Sequence, residues 1–165
     1  MVYILMGVSG AGKTVIGQKL ADYFGIPFYD GDDFHPTENI QKMERGEPLT
    51  DEDRMPWLQI LANSIQTWNQ HGDAVLACSA LKKAYRNKLR GKTPENEVRF
   101  IYLKGSFSLI ADRLSSRSDH FMPEELLQSQ FEALEEPERA ITVPIDRSPE
   151  VIVQMIVKQL KSTNP

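Results

Sequence analysis

Cysteine is nearly absent, with Cys78 standing alone in 165 residues. A single thiol excludes an internal disulfide and any zinc cage built on cysteines, and it is compatible with a cytoplasmic location. Histidine is almost as scarce. His35, His71 and His120 lie far apart in sequence, so a histidine metal centre has little support, and His71 reads as a solvated helix end. There is no basic excess: the formal net charge is −4, the opposite of what general nucleic-acid binding needs. No apolar run approaches the roughly 20 residues of a membrane-spanning helix. The first apolar run, Val2 to Met6, is too short for a secretory leader and reads as a strand. Repeats, low-complexity tracts and linker-like stretches are also missing. What remains is 41% hydrophobic and 25% charged, an ordinary globular balance over a length that suits one domain, residues 1–165.

What is present begins at once. Gly7-Val8-Ser9-Gly10-Ala11-Gly12-Lys13-Thr14 matches the phosphate-binding loop pattern in full. It follows a strand-like run and opens an amphipathic stretch with Ile16, Leu20, Tyr23 and Phe24 on one face. Glycines let successive backbone N–H groups turn inward on phosphate oxygens, and a helix N-terminus favours negative charge. Lys13 can reach the β- and γ-phosphates, and the Thr14 hydroxyl can meet Mg²⁺. The pattern therefore predicts binding of ATP or a related triphosphate.

Four more β-prone runs follow, at Pro27 to Asp30, Ala74 to Cys78, Val98 to Leu103 and Ile141 to Ile145, with helical patterns between them. That alternation predicts an α/β fold with a parallel sheet covered on both faces. Ligands of such sheets bind beyond the C-terminal strand ends. Between the second and third runs, a helix is expected over Glu38 to Arg45, stopped by Gly46. A second should start at Thr50, with Asp53 three residues on, and be kinked or restarted at Pro56. Trp57 and Trp68 read as core. Ser148-Pro149 reads as an N-cap and first helical residue.

The strand ends carry the candidate chemistry. Asp30 and Asp32 point the same way if the chain stays extended, toward the phosphate loop. Asp32 is then placed to contact an acceptor hydroxyl and Asp30 to hold a water on Mg²⁺. Asp-Gly is equally turn chemistry. His35 can bond a polar substrate or cap the loop. Beyond the third run, Lys82 and Arg86 are four apart, which suits either a carboxylate clamp or a solvated basic face. Beyond the fourth, Arg113 and Arg117 lie on a segment broken at Asp119 to Pro123, the pattern of a lid that neutralises a transferring phosphoryl group.

Taken together, Gly7 to Thr14, Asp30 to Pro36, Asp53 to Leu58, Cys78 to Arg86, and His120 to Pro123 with Leu127 to Glu132 resemble the small P-loop gluconate kinases, relatives of shikimate and adenylate kinases. The resemblance covers nearly the whole chain. It implies a three-layer α/β/α fold, a five-stranded parallel sheet in the order 2-3-1-4-5, and a helical lid over roughly 107–131. It also implies Mg²⁺-dependent transfer of the γ-phosphoryl of ATP to the 6-hydroxyl of D-gluconate, commonly by a cytoplasmic homodimer. By similarity, Arg54, Ser79, Lys82 and Arg86 fall on the gluconate side, Arg113 and Arg117 in the lid, and Arg147 and Ser148 beside adenine.

Two rivals differ in class or acceptor. Another small-molecule kinase, acting on shikimate, a nucleoside monophosphate or another sugar acid, shares most of these features. A guanine-nucleotide switch needs Asn-Lys-x-Asp, and Asn87-Lys88-Leu89-Arg90 carries Arg where the Asp must stand.

Overall fold

The computed structural model describes residues 1–116 and 124–163. Five parallel strands, β1 (Val2–Met6), β2 (Phe28–Asp30), β3 (Ala74–Ala77), β4 (Val98–Lys104) and β5 (Ile141–Pro144), are ordered β2-β3-β1-β4-β5. The helices described are α1 (Lys13–Phe24), α2 (Thr37–Glu44), α3 (Asp51–His71), α4 (Lys83–Arg90), α5 (Phe107–Ser115), α6 (Glu124–Ala133) and α7 (Pro149–Thr163). The expected sheet order is the one observed.

The strands are apolar on both faces because both faces are covered. Along β1, Ile4 and Met6 join Leu76, Phe100 and Tyr102 against the α3 stripe of Trp57, Leu58, Leu61 and Ile65. Leu5 turns the other way, with Val75, Ile101 and Val143, against Ile16 and Leu20 of α1 and Ile152, Ile156 and Leu160 of α7. Each such side chain, fully buried, stabilises the fold by about 1.5–3 kcal/mol. Among the described residues, no helix is long and apolar enough to cross a membrane.

Local chemistry fixes the element ends. Thr50 and Asp53 form a reciprocal capping box, with Asp53 N donating to Thr50 Oγ1 (3.1 Å) and Thr50 N to Asp53 Oδ2 (2.8 Å). Lys42 also donates to Asp53 (2.7 Å), tying α2 to the start of α3. Gly46, at φ 74°, follows α2 as expected. Pro56 does not divide the helix, since α3 runs unbroken from Asp51 to His71. Its missing N–H would have met the carbonyl of exposed Glu52 near the helix start, where water can replace it. Ser148 Oγ accepts from Val151 N (3.4 Å) at the start of α7.

Candidate active site

The phosphate loop leaves the C-terminal end of β1 and closes onto α1. Gly7 N donates to Ser79 O (3.2 Å), fastening the loop to the end of β3. Gly10 adopts φ 82°, and a Cβ there would lie 2.9 Å from Leu114 Cγ, so only glycine lets the loop pass under α5. Gly12 stands at the N-cap of α1 with no side-chain cap, and no acidic residue lies in the first turn. The positive end of that helix is left for an external anion.

Lys13 folds over the loop, donating through Nζ to the carbonyls of Gly7 (2.9 Å) and Val8 (3.0 Å). Desolvation lowers its pKa, while the nearby Asp32 and Asp30 carboxylates favour its charge. Thr14 Oγ1 lies 3.4 Å from Asp30 Oδ2. The parallel register explains that meeting, because Asp30 and Leu5 both pair with Ala77, two residues short of Gly7.

The chain beyond Asp30 is not extended. It turns into a 3₁₀ helix over Gly31–Phe34, and Asp30 is its N-cap, accepting from Asp32 N (3.0 Å). The expectation of two carboxylates aligned by strand alternation is corrected. The turn, and not the pleat, brings Asp32 toward Lys13. Gly31 fits because a Cβ there would sit 2.8 Å from Ala77 O. Desolvation in the cleft raises the Asp32 pKa, and the Asp30 carboxylate adds to that rise.

Trp57 clamps this turn from α3, donating through Nε1 to Gly31 O (2.8 Å) and stacking on His35 with ring centroids 4.2 Å apart. Asn39 Nδ2, which donates to Asp53 O (2.9 Å), also meets His35 Nδ1 (3.3 Å). With the Asn39 amide as donor, that contact suits the tautomer that carries its proton on Nε2. Burial and the Arg54 cation lower the His35 pKa, which favours the neutral ring.

Arg54 and Lys82 converge on Tyr85. Their charges lie 5.7 and 5.5 Å from its ring centroid, and both reach the Asp51 carboxylate, at 3.9 and 3.3 Å. Tyr85 also donates to Asp51 and lies 3.4 Å from Arg54 Nη1. Arg86 does not join them. It is 7% exposed, and its guanidinium donates to the carbonyls of Ala80 (2.8 Å), Leu81 (3.1 Å) and Glu135 (2.8 Å). Neither of the two readings of the Lys82–Arg86 spacing, a clamp or a solvated basic face, describes the pair: Lys82 is the N-cap residue of α4, outside the helix proper, and Arg86 turns inward. Arg86 braces the segment where Ala80 takes a left-handed φ of 46°. A cleft of about 440 Å³ beside α4, lined in part by Arg86, Arg90, Phe100 and Glu135, shares no residue with the phosphate loop.

Arg113 donates to Ile145 O, joining α5 to the loop that carries Arg147. Arg147 is exposed and pairs with Asp146 (3.7 Å). Arg117, with Asp119, His120 and Pro123, lies outside the described residues. Cys78 is buried and its thiol is pushed up to about 12 by desolvation, which makes it inert. Three participants carry no functional signal in the spacing: Asp51, readable only as a helix start; Trp57, readable only as core; and Gln130, whose amide bonds the phosphate loop.

A phosphate loop at the end of the central strand, a carboxylate pair at the next strand end and an open basic cluster define a P-loop kinase. The shikimate kinase family model matches residues 9–161. A probable gluconokinase of Xenopus tropicalis is 44% identical over 173 residues, covering 94% of this chain and 91% of that protein. The thermosensitive gluconokinase of Escherichia coli K12 is 50% identical over 137 residues, covering 82% and 72%. The crystal structure of a gluconokinase from Sinorhizobium meliloti 1021 superposes with a TM-score of 0.85 at 40% identity, covering 99% and 97%. The chain belongs to the gluconokinase family, among the P-loop kinases related to shikimate kinase.

Proposed function

We propose that the enzyme transfers the γ-phosphoryl group of ATP to the 6-hydroxyl of D-gluconate, giving 6-phospho-D-gluconate and ADP. The observation that carries this reading is the succession of neighbouring groups from Lys13, which feels the Asp32 and Asp30 charges, through the turn that Trp57 bonds and the Trp57–His35 stack, to Arg54, whose charge His35 feels. It supports a reading with phosphate binding at one end of a polar site and carboxylate binding at the other.

Loop amides and Lys13 hold the β- and γ-phosphates and offset the charge that develops on them. Arg54 or Lys82 takes the gluconate carboxylate, and the His35 Nε2–H donates to a substrate hydroxyl. Asp32 accepts the proton of the attacking hydroxyl as its oxygen bonds to the γ-phosphorus and the bond to the β,γ-bridging oxygen breaks. Because the transition state is loose, Asp32 acts as much by orienting the hydroxyl as by basicity. Thr14 and Asp30 would hold Mg²⁺, which supplies charge neutralisation at the phosphates. Two hard oxygens 3.4 Å apart suit an ion that completes its shell with water and substrate oxygens. Adenine is assigned to the neighbourhood of Arg147 and Ser148, and a lid to roughly 107–131, with Arg113 and Arg117 reaching the nucleotide phosphates from it. A single-domain chain acting as a cytoplasmic homodimer completes the reading.

An ADP-release assay across gluconate, other sugar acids, shikimate and nucleoside monophosphates, with ATP and GTP as donors, tests it. Gluconate with ATP should give the highest kcat/KM. The match to the shikimate kinase model favours shikimate as the second acceptor to try. Faster turnover of any other acceptor overturns the substrate assignment.

A further inference from the structure

The phosphate loop is bonded to a helix from the other half of the chain, and its catalytic assignment leaves that bond unexplained. Ser9 N donates to Gln130 Oε1 (2.8 Å), and Gln130 Nε2 donates to Ser9 Oγ (2.9 Å), across 121 residues of sequence. Both bonds are partly buried. A carboxamide suits this place because it accepts from an amide and donates to a hydroxyl at once. Its arm is fixed by its own helix. Leu127, three residues before it on the same face of α6, is 2% exposed, and Phe131 packs edge-on against Phe107 of α5 at 5.5 Å.

A second observation falls on the next loop residue. Gly10 passes so close beneath Leu114 of α5 that no Cβ fits. The two helices α5 and α6 therefore grip the loop at adjacent residues, Gly10 and Ser9. The loop amides divide accordingly. Those of Gly7, Ser9 and Ala11 donate to Ser79 O, Gln130 Oε1 and Val8 O. Among the described residues no protein acceptor meets the amides of Gly10, Gly12, Lys13 and Thr14.

We propose that Gln130 is a positioning residue for nucleotide binding. By turning both polar groups of Ser9 toward α6, it fixes the phosphate loop with its remaining amides open to phosphate oxygens. It also makes the docking of α6 and the binding of ATP mutually dependent. Gln130 need not touch the nucleotide. Its effect runs through Ser9 alone, so removing either partner should disable the same device. The inference rests on the phosphate-loop reading and not on the identity of the acceptor.

The experiment is calorimetric titration of ATP with Mg²⁺, in the absence of gluconate, into wild type, Gln130→Ala, Ser9→Ala and the double variant, followed by steady-state kinetics. Two lost hydrogen bonds of ordinary strength predict an ATP Kd raised about 10-fold or more in Gln130→Ala. The gluconate KM should stay within twofold, and the thermal midpoint of the nucleotide-free protein should fall by only a few degrees, about 2–4 °C for each kcal/mol lost. Ser9→Ala should weaken ATP less, because the Ser9 amide keeps its partner. The Gln130→Ala effect should shrink in the Ser9→Ala background. Gln130→Glu guards against misfolding, since a carboxylate can accept from both Ser9 groups. It should fold normally yet weaken ATP through its charge, and more so at low salt. An ATP Kd within twofold of wild type in both Gln130 variants overturns the proposal. So does an equal rise in both KM values with a midpoint lowered by more than those few degrees, which would leave Gln130 a purely structural strut. Failure of gluconate as an acceptor would leave the ATP titrations standing.

Discussion

In its proposed role as the base, Asp32 would serve function against stability. Desolvation and the Asp30 carboxylate raise its pKa, so the folded protein resists its ionisation. For an acid raised above its unfolded value of 3.8, the stabilising contribution is full below that value and is lost as pH climbs through the folded pKa. At neutral pH the ionised Asp32 is therefore held at a cost. Asp32→Asn should raise the thermal midpoint at pH 7, while kcat falls about 10²- to 10⁴-fold with ATP affinity nearly unchanged, the range typical of a lost general base. Calorimetry beside initial-rate kinetics checks both halves. A variant within threefold of the wild-type kcat would shift the role to Asp33 or His35. Asp30 and Asp32 were both legible in the sequence as site candidates, but the geometry joining them was not. Periodicity describes a strand, and Gly31 with the Asp30 cap turns the chain out of the strand before alternation can carry it to Asp32.

At the scale of elements, helix starts and strand ends decide which cations are free. Spacing alone paired Lys82 with Arg86, because residues four apart share a helix face. Helix α4 begins only at Lys83, so Lys82 sits in the cap and turns to Asp51, while Arg86 goes beneath the helix to three carbonyls. Arg54→Ala or Lys82→Ala should raise the gluconate KM strongly and the ATP KM little. Arg86→Ala should chiefly destabilise, by about 3 kcal/mol for a buried charged donor set, and Arg86→Lys should not restore the lost bonds. Urea midpoints and the two KM values separate these outcomes; a gluconate KM unchanged in both Arg54→Ala and Lys82→Ala would place the carboxylate elsewhere. The start of α3 gives a pH signature of opposite sign to that of Asp32. Hydrogen bonds from Lys42, then from Thr50, hold the Asp53 pKa down to about 2. Its contribution is thus present above the unfolded value of 3.8 and lost as pH falls through about 2. The stability gap between wild type and Asp53→Asn should narrow over that window, and a gap constant from pH 5 to pH 2 would refute the assignment. Thr50→Ala should cost about 1 kcal/mol at pH 7. The capping box was legible because its two residues are three apart. The Lys42 bond was not, since it joins different helices.

Across the whole molecule, the five strands and their apolar faces were readable from strand-like runs whose ends fall within a residue of those observed, while the sheet order came from the family resemblance. Long-range polar joints were not readable, because nothing in the spacing of Ser9 and Gln130, or of Trp57 and Gly31, marks them as partners. Those joints connect the phosphate loop to α6 and the Asp30 turn to α3, so ligands at the two ends of the site bear on elements that also pack the core. Binding to the folded state alone raises stability by RT ln(1 + [L]/Kd), about 2.7 kcal/mol at one hundred times Kd. For a chain of this size that corresponds to a midpoint rise of about 5–11 °C. ATP with Mg²⁺ should produce such a rise by itself. Gluconate alone should produce less than it adds to the ATP-bound protein, if the proposed two ends of the site are coupled through the Asp30 turn and the Trp57–His35 stack. A non-hydrolysable ATP analogue keeps turnover from confusing the measurement, and scanning calorimetry at several protein concentrations reads the proposed homodimer in the same experiment, through a midpoint that climbs with concentration. Strictly additive shifts from the two ligands would mean that the two ends of the site are energetically independent, and the contacts through Trp57, His35 and Gln130 would then carry structure without coupling.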